Sequence, residues 1–380
     1  MELQDIRRNI DAIDDELVQL FARRMDCARA VATAKRETGR AIRDRARERE
    51  IVNRLTARAG EEYAPYVKTL YSQIFDLSRS YQSALGDHRG HLSALIEQGL
   101  RETTGKALPA HALVACQGTE GSYQQQACEK LFEYPDILYY NSFDGVFSAV
   151  EKGMCQYGIL PIENSTAGSV TQVYDLMEKH HFYICGAQKL RIDHRLLRKN
   201  ASSNTPIAEI VSHEQALRQC SRYLEAHPQI RATAMENTAT AAEYVARSDR
   251  DDLAVIASRV CAELYGLEIA ESGISNSENN YTRFICISRR LEIYPGARKV
   301  SLMLNLAHEP GALNAVVSRL AIAGVNLLKL ESRPIPGREF EFQFFFDMAA
   351  SVADPDMVRL LGELEAHCDR FVFLGCYDER

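Results

Sequence analysis

The chain has 380 residues, a formal net charge of −7 and a pI near 5.9. That length suits two or three hydrophobic cores rather than one, and the acidic balance excludes the basic face that a nucleic-acid binder needs. No apolar run reaches the ~18 residues that span a bilayer, and the start M-E-L-Q-D is too acidic for a signal peptide, so a cytoplasmic protein with no membrane partner is expected. The ten cysteines are scattered without a C-x-x-C pair and read as buried free thiols. His180, His181 and His194 lack the companions of a metal site and read as structural, so no metal is expected.

Before Pro109 the only proline is Pro65, and the first 85 residues read as helices. Leu3, Ile6, Ile10, Ile13, Leu17 and Leu20 alternate spacings of three and four, which makes an apolar seam. Arg24 falls where the seam should continue, and Lys35 follows three turns later on the same side. The pattern runs to about Glu37, a rod of roughly 50 Å, longer than a lone small domain can bury, so a partner chain is implied. A second helix is expected from an N-cap at Asp44, with Glu48, Ile51 and Leu55 on one face. A third carries Val67, Tyr71, Ile74, Ser78, Tyr81 and Leu85, with Gln82 beside Ser78 at i,i+4. The polar groups Arg7, Arg24, Lys35, Arg47, Asp44 and Glu48 are either satisfied ion pairs between helices or an anion site, since an unmatched buried ion costs several kcal/mol and the excess is positive.

Residues 86–111 hold a short helical pattern flanked by Gly and Pro and read as a linker. From Ala112 to about Arg290 strands and helices alternate: A-L-V-A-C, then Gly118 to Ser122 opening a helix, Ser142 opening another, the apolar run Tyr157 to Leu160, and A-V-I-A before Ser258. This alternation predicts a parallel α/β sheet. Pro161 has no N–H and is expected to end its strand and begin a loop. Glu163, Asn164, Ser165, Thr166 and Gly168 then fall where α/β sheets place ligand-contacting groups. No G-x-G-x-x-G or Walker motif is present, so a nucleotide is not indicated. From Lys299 the order is strand, helix (Ala312 to Ala323), strand, a Pro-Gly-Arg turn at 336–338, strand, helix, strand. This is the ferredoxin-like βαββαβ order, and apart from Asp347 it offers few groups for chemistry, so it reads as a binding or regulatory part.

Along the helices Arg7, Arg24, Lys35, Asp44, Arg47, Glu48, Ser78 and Gln82 keep a recognisable spacing. The middle segment carries G-T-E-G-S-Y at 118–123, P-I-E-N at 161–164, I-D-H at 192–194, S-H-E-Q at 212–215 with Gln219, M-E-N-T at 235–238 and N-N-Y-T-R-F at 279–284. The last carries G-A-L at 311–313 and E-S-R-P at 331–334. On these motifs the chain resembles the bifunctional chorismate mutase/prephenate dehydratases of bacterial phenylalanine synthesis, over nearly its whole length. One departure is Gln125, where relatives often carry histidine. The resemblance implies a multidomain chain: an all-α mutase domain at 1–85, dimeric through its long first helix; the linker 86–111; a two-lobed α/β dehydratase domain at 112–290; and an α+β ferredoxin-like ACT domain at 298–378.

What the resemblance implies for chemistry is specific. Chorismate rearrangement is pericyclic and needs a charged, shaped pocket without nucleophile, metal or cofactor. Arg7 and Arg24 would hold the two carboxylates, Arg7 reaching the partner subunit's site. Lys35 and Gln82 would stabilise charge growing on the ether oxygen, Asp44 and Glu48 would hold the ring hydroxyl and order the helix start, Arg47 would add positive field, and Ser78 would line the pocket. Prephenate then loses water and carbon dioxide. Thr282 would serve the leaving hydroxyl, Glu163 or Glu236 would supply the proton, Asn164, Ser212 and Gln219 would bind substrate, and Arg283 would meet a carboxylate or brace its loop. Gly311, Ala312, Leu313, Glu331, Ser332, Arg333 and Pro334 would bind phenylalanine as inhibitor between paired ACT domains. A non-catalytic amino-acid sensor with the same sheet order is the rival reading, but it leaves Arg24, Lys35, Ser78 and Gln82 unexplained. A second keeps the dehydratase and uses the helices only for dimerisation.

Overall fold

The apolar seam becomes one long helix, α1 (Leu3–Thr38), followed by α2 (Arg45–Ala84). The structure is a computed structural model and describes residues 2–38, 44–85, 90–335, 337, 341–366 and 368–380. Residues 86–89 of the expected linker, and Pro336 and Arg338 of the expected turn, lie outside the described residues. Asp44 caps α2 by accepting from the Arg47 N–H at 3.0 Å. Gly60 breaks α2 with φ 77° and ψ 167°, a conformation that only glycine adopts without strain, so the expected second and third helices are the two halves of this element.

Where a linker was expected, α3 (His91–Thr103) forms. Its Ile96 is fully buried, and the Thr103 hydroxyl donates to the Ile293 carbonyl. This segment is a packed helix, because Leu92, Ile96 and Gly99 share one face and meet apolar partners.

There follow β1 (His111–Gln117), α4 (Tyr123–Leu131), β2 (Tyr134–Tyr140), α5 (Phe143–Glu151), β3 (Tyr157–Asn164), β4 (Gly168–Ser169), α6 (Thr171–Met177) and β5 (Tyr183–Arg191). Next come β6 (Arg195–Arg198), β7 (Glu209–His213), α7 (Glu214–Gln219), α8 (Ser221–Ala226), β8 (Arg231–Met235), α9 (Thr238–Arg247), β9 (Leu253–Ala257), α10 (Arg259–Tyr265), β10 (Glu268–Glu271) and β11 (Tyr281–Ser288). The last are β12 (Lys299–Asn305), α11 (Ala312–Ile322), β13 (Asn326–Pro334), β14 (Phe342–Ala349), α12 (Pro355–Glu365) and β15 (Arg370–Tyr377).

Three sheets result: β2-β1-β3-β11-β5 with β4 on β3, then β10-β6-β9-β7-β8, and β13-β14-β12-β15. The first two are mixed, which corrects the parallel sheet read from the sequence. β1 runs parallel to β2 and β3, but β11 returns from the second sheet to lie antiparallel between β3 and β5. In the second, β7 is parallel to β8 and β9 while β6 is antiparallel to β9 and β10. β3 also runs on past Pro161 to Asn164, where a loop was expected. The ladder with β11 shifts register at this point, pairing Phe284 with Pro161 and Arg283 with Glu163, so the missing N–H falls at a bulge.

The chain divides into two compact units. The first holds Met1–Ala94, Asn305–Leu327 and Ala353–Phe371, so α11 and α12 belong with α1 and α2. The second holds Leu95–Leu304, Leu328–Val352 and Val372–Arg380. The segment expected as a separate third domain is thus shared between them. In the second unit the last residues add to the edge of β5: the Ala187 and Lys189 N–H groups donate to the carbonyls of Asp378 (3.0 Å) and Arg380 (2.7 Å). Just before them Gly375, at φ 149°, approaches the Ile184 backbone so closely that a Cβ would stand 2.2 Å from its carbonyl oxygen. Eight of the ten cysteines are buried; Cys27 is exposed and Cys368 half-buried. Among the described residues no helix is long and apolar enough to cross a membrane, and no cluster of side chains could hold a metal ion.

Candidate active site

In the first unit the polar residues of the helical segment gather around one stretch of α2. Arg24 lies over the Phe75 ring, 5.6 Å from its centroid. One turn on, Ser78 is buried and accepts from Gln82 Nε2 at 3.3 Å, while Gln82 Oε1 is buried without a partner. Glu48 reaches the same region as the ion-pair partner of Arg79, whose guanidinium also holds Asp76. Arg79 and Asp76 escaped the sequence reading, although Asp76 and Arg79 stand at i,i+3 on α2, a spacing that marks an ion pair. Arg319 of α11 is buried near them; burial lowers its pKa, with Asp76 opposing.

The remaining expected residues of the segment differ in exposure. Lys35 is half-buried. Arg47 pairs with Glu50 at 2.7 Å in the open. Arg7 is exposed, and at 1.5 Å per residue it sits roughly 25 Å along α1 from Arg24, too far to join the same site. The seam itself is uncovered: Leu3, Ile6, Ile10, Ile13, Leu17 and Leu20 are between 38% and 63% exposed.

In the second unit a cleft of about 660 Å³ is lined from both mixed sheets. Asn164, Gln219, Glu236 and Thr282 all line it. Asn164 is the hub. Its Oδ1 accepts from the N–H groups of Thr166 (3.0 Å) and Ala167 (2.9 Å), which can only donate, so the amide orientation is fixed. Its Nδ2 therefore donates, to Asn280 Oδ1 at 2.8 Å and to Thr282 Oγ1 at 2.9 Å. Because Thr282 accepts this bond, its own hydroxyl proton is left to point elsewhere.

The network extends outward. Gln219 Nε2 donates to Thr166 Oγ1 at 3.0 Å, and Gln219 Oε1 faces His194 Nε2 at 2.9 Å, which makes His194 the donor there. His194 Nδ1 lies 3.3 Å from the Tyr123 hydroxyl. Burial pushes the His194 pKa down, with the Gln219 contact opposing, and burial does the same to His213, which also lines the cleft. His194 was read as structural because it lacks metal companions. Its place in the I-D-H motif was the available signal, and it braces Gln219.

Three expected residues do not line the cleft. Ser212 is fully buried, its hydroxyl donating to the Ile256 carbonyl at 2.5 Å. Glu163 faces Lys329 at 3.0 Å and Arg283 at 3.2 Å. Arg283 in turn pairs with Asp347 at 2.7 Å; burial lowers its pKa, but Asp347, Tyr377 and Glu163 together outweigh burial and raise it. Among the described residues the cleft lining contains no Lys or Arg and one carboxylate, Glu236. The caps of α4 and α9, Ser122 and Asn237, line it and accept from the Gln125 and Thr240 N–H groups, and the first turn of a helix is the positive end of its dipole.

Comparison with known proteins bears on both regions. Residues 6–83 match the family model for chorismate mutase type II, and residues 114–292 match that for prephenate dehydratase. The chain is 31% identical to the bifunctional chorismate mutase/prephenate dehydratase of Escherichia coli (strain K12), covering 98% of this chain and 95% of that one. The chain belongs to the bifunctional chorismate mutase/prephenate dehydratase family. It is an enzyme with a chorismate mutase and a prephenate dehydratase region. Among solved structures, the prephenate dehydratase of Arthrobacter aurescens in complex with L-Phe is 25% identical with a TM-score of 0.64, covering 70% of this chain and 90% of that one. A protein described as a quorum-quenching acylase, 30% identical with the same TM-score, covers 70% of this chain and 98% of its own.

Of the residues expected to meet phenylalanine, Gly311 takes a left-handed φ of 91° ahead of α11, with Ala312 and Leu313 opening the helix. In the E-S-R-P stretch, Glu331 accepts from the Ser169 hydroxyl at 2.8 Å and Arg333 pairs with Asp175 at 3.0 Å. Ser332 and Pro334 alternate with them and are exposed.

Proposed function

We propose that the helical unit of this enzyme rearranges chorismate to prephenate, that the cleft converts prephenate to phenylpyruvate, and that phenylalanine inhibits the second step through the C-terminal βαββαβ segment acting as an ACT domain. The observation that carries the dehydratase part is the bond from Asn164 Nδ2 to Thr282 Oγ1.

Prephenate aromatises when carbon dioxide and hydroxide leave together, and one proton is consumed to turn hydroxide into water. The Thr282 hydroxyl, accepting from Asn164, offers its proton as a hydrogen bond to the departing oxygen. Glu236 supplies the consumed proton: it lines the cleft, whereas Glu163 is held by two cations outside the lining. The substrate carboxylates lie against the first turns of α4 and α9 rather than against Arg283, and Gln219, held by His194, completes the polar wall.

In the mutase, Arg24, Ser78, Gln82 and Glu48 make one part of a pocket that Lys35 completes, with Asp44 and Arg47 opening α2 beside it. The Ser78 hydroxyl can serve either atom of the Gln82 amide, so the N–H₂ is able to turn to an ether oxygen. Arg7 belongs to the partner subunit's pocket, reached when the exposed seam of α1 pairs with a second copy. The solved relative that holds L-Phe supports the effector.

The test is direct. Purified protein given chorismate should form prephenate transiently and then phenylpyruvate, and phenylalanine should suppress the second product. Prephenate that accumulates without phenylpyruvate would remove the dehydratase assignment, and no turnover would favour a sensor.

A further inference from the structure

In β13 alternate residues face opposite ways, and one set, Lys329, Glu331 and Arg333, is half-buried. All three meet the dehydratase sheet or the helix next to it. Lys329 Nζ is 3.0 Å from Glu163 Oε1 and donates to Ser169 Oγ at 2.9 Å. Glu331 accepts from Ser169 Oγ at 2.8 Å. Arg333 Nη2 is 3.0 Å from Asp175 on α6.

Glu163 and Ser169 are direct cross-strand partners in the β3–β4 hairpin, and Asn164 pairs with Gly168 one step along it. The hairpin's turn is the same Thr166–Ala167 segment whose N–H groups orient the Asn164 amide. Lys329 thus bridges both arms of the hairpin from the face away from Asn164, and Glu331 takes the single proton of Ser169, a residue that lines the cleft. With that proton given to Glu331 and a lone pair taken by Lys329, the Ser169 hydroxyl is engaged by β13 on the side of the hairpin that Glu163 also faces.

We propose that Lys329 and Glu331 are positioning residues of the dehydratase, clamping the 163–169 hairpin so that Asn164 and Ser169 are held in register with Thr282. This rests on the reading of the cleft as the prephenate site. The clamp comes from the C-terminal segment, so that segment contributes to the turnover step itself as well as to any effector response.

The experiment uses the full chain, with mutase turnover on chorismate as the internal measure of folding. Lys329→Met should lower dehydratase kcat about tenfold, the scale of losing a charge-assisted hydrogen bond, with the KM for prephenate within about twofold and mutase turnover unchanged. Lys329→Arg should recover most of the loss. Glu331→Ala should lower kcat as well, and Ser169→Ala/Glu331→Ala should be no worse than Ser169→Ala alone, because Glu331 acts through that hydroxyl. Wild-type kcat in Lys329→Met, an Arg variant as impaired as the Met variant, or additive losses in the double variant would each overturn the proposal. If Lys329→Met loses both activities, Glu331→Ala, which keeps the Lys329–Glu163 pair but removes the acceptor of the Ser169 proton, decides: unchanged dehydratase kcat overturns the proposal. Failure of the wild-type chain to turn over prephenate would instead overturn the underlying reading.

Discussion

Replacing Asn164 with aspartate changes one atom of the hub and reverses the direction of its key bond. In the native cleft Nδ2 donates to Thr282 Oγ1 at 2.9 Å and to Asn280 Oδ1 at 2.8 Å. In Asn164→Asp a carboxylate oxygen stands there instead, and Thr282 turns its proton towards it, which removes the donor proposed to meet the leaving hydroxyl. Losing one such donor costs about 10²-fold in kcat, or ~3 kcal/mol of transition-state stabilisation. The new oxygen also faces Asn280 Oδ1 and the Tyr281 carbonyl, two acceptors, so a stability loss of about 1–3 kcal/mol accompanies it. The assay is phenylpyruvate formation from prephenate, with mutase turnover and a urea midpoint on the same preparation. Thr282→Ala should be impaired as strongly with the mutase intact, and the double variant should be no worse than Thr282→Ala, since both act through one proton. A kcat for Asn164→Asp within twofold of wild type would refute this bond direction.

In the mutase, Lys35→Ala should lower turnover by about 10²-fold with the dehydratase unaffected, and normal turnover would remove Lys35 from the site. Arg79→Met leaves Glu48 and Asp76 without their shared cation in a site where the Arg79 side chain is only 11% exposed; a loss of about 3 kcal/mol in chemical denaturation and weakened chorismate binding are expected, and an unchanged midpoint would discount the pair. Gly375→Ala must move backbone to seat a Cβ 2.2 Å from the Ile184 oxygen, so the melting temperature should drop and dehydratase activity fall before mutase activity; an unshifted melt would refute the close approach. Burial holds the His194 pKa below its ordinary 6.5, so the unfolded chain takes up that proton first: stability should fall as pH drops below about 6.5 and be insensitive to this group above it. His194→Gln should flatten that part of the profile, and an identical slope would assign it elsewhere.

The long first helix was readable from its spacing alone, and so were the helix starts at Asp44, Ser122 and Ser142, because periodicity and capping are local. The cleft was readable only in part, for a reason that P-I-E-N and T-R-F share. Taken as loops, Glu163 and Asn164, or Thr282 and Arg283, could all face one ligand. As strands β3 and β11 they alternate, so Asn164 and Thr282 point into the cleft while Glu163 and Arg283 point to the other side. Ser212 and His213 divide in the same way at the end of β7. What hid the alternation was Pro161, which reads as a strand end unless the bulge opposite it is known. The mixed sheets escaped because β11 is separated from β5 by a whole second lobe, and no local pattern records where a chain returns.

The three residues laid along β5 also protect the protein from its own kind. β5 would otherwise end the dehydratase sheet with a row of free N–H and C=O groups, a template on which another molecule's strand could add. Asp378 to Arg380 occupy that template with this chain's own backbone. Replacing Arg380 with proline would remove the N–H that donates to the Ala187 carbonyl at 3.0 Å and so reopen part of that edge to a second molecule.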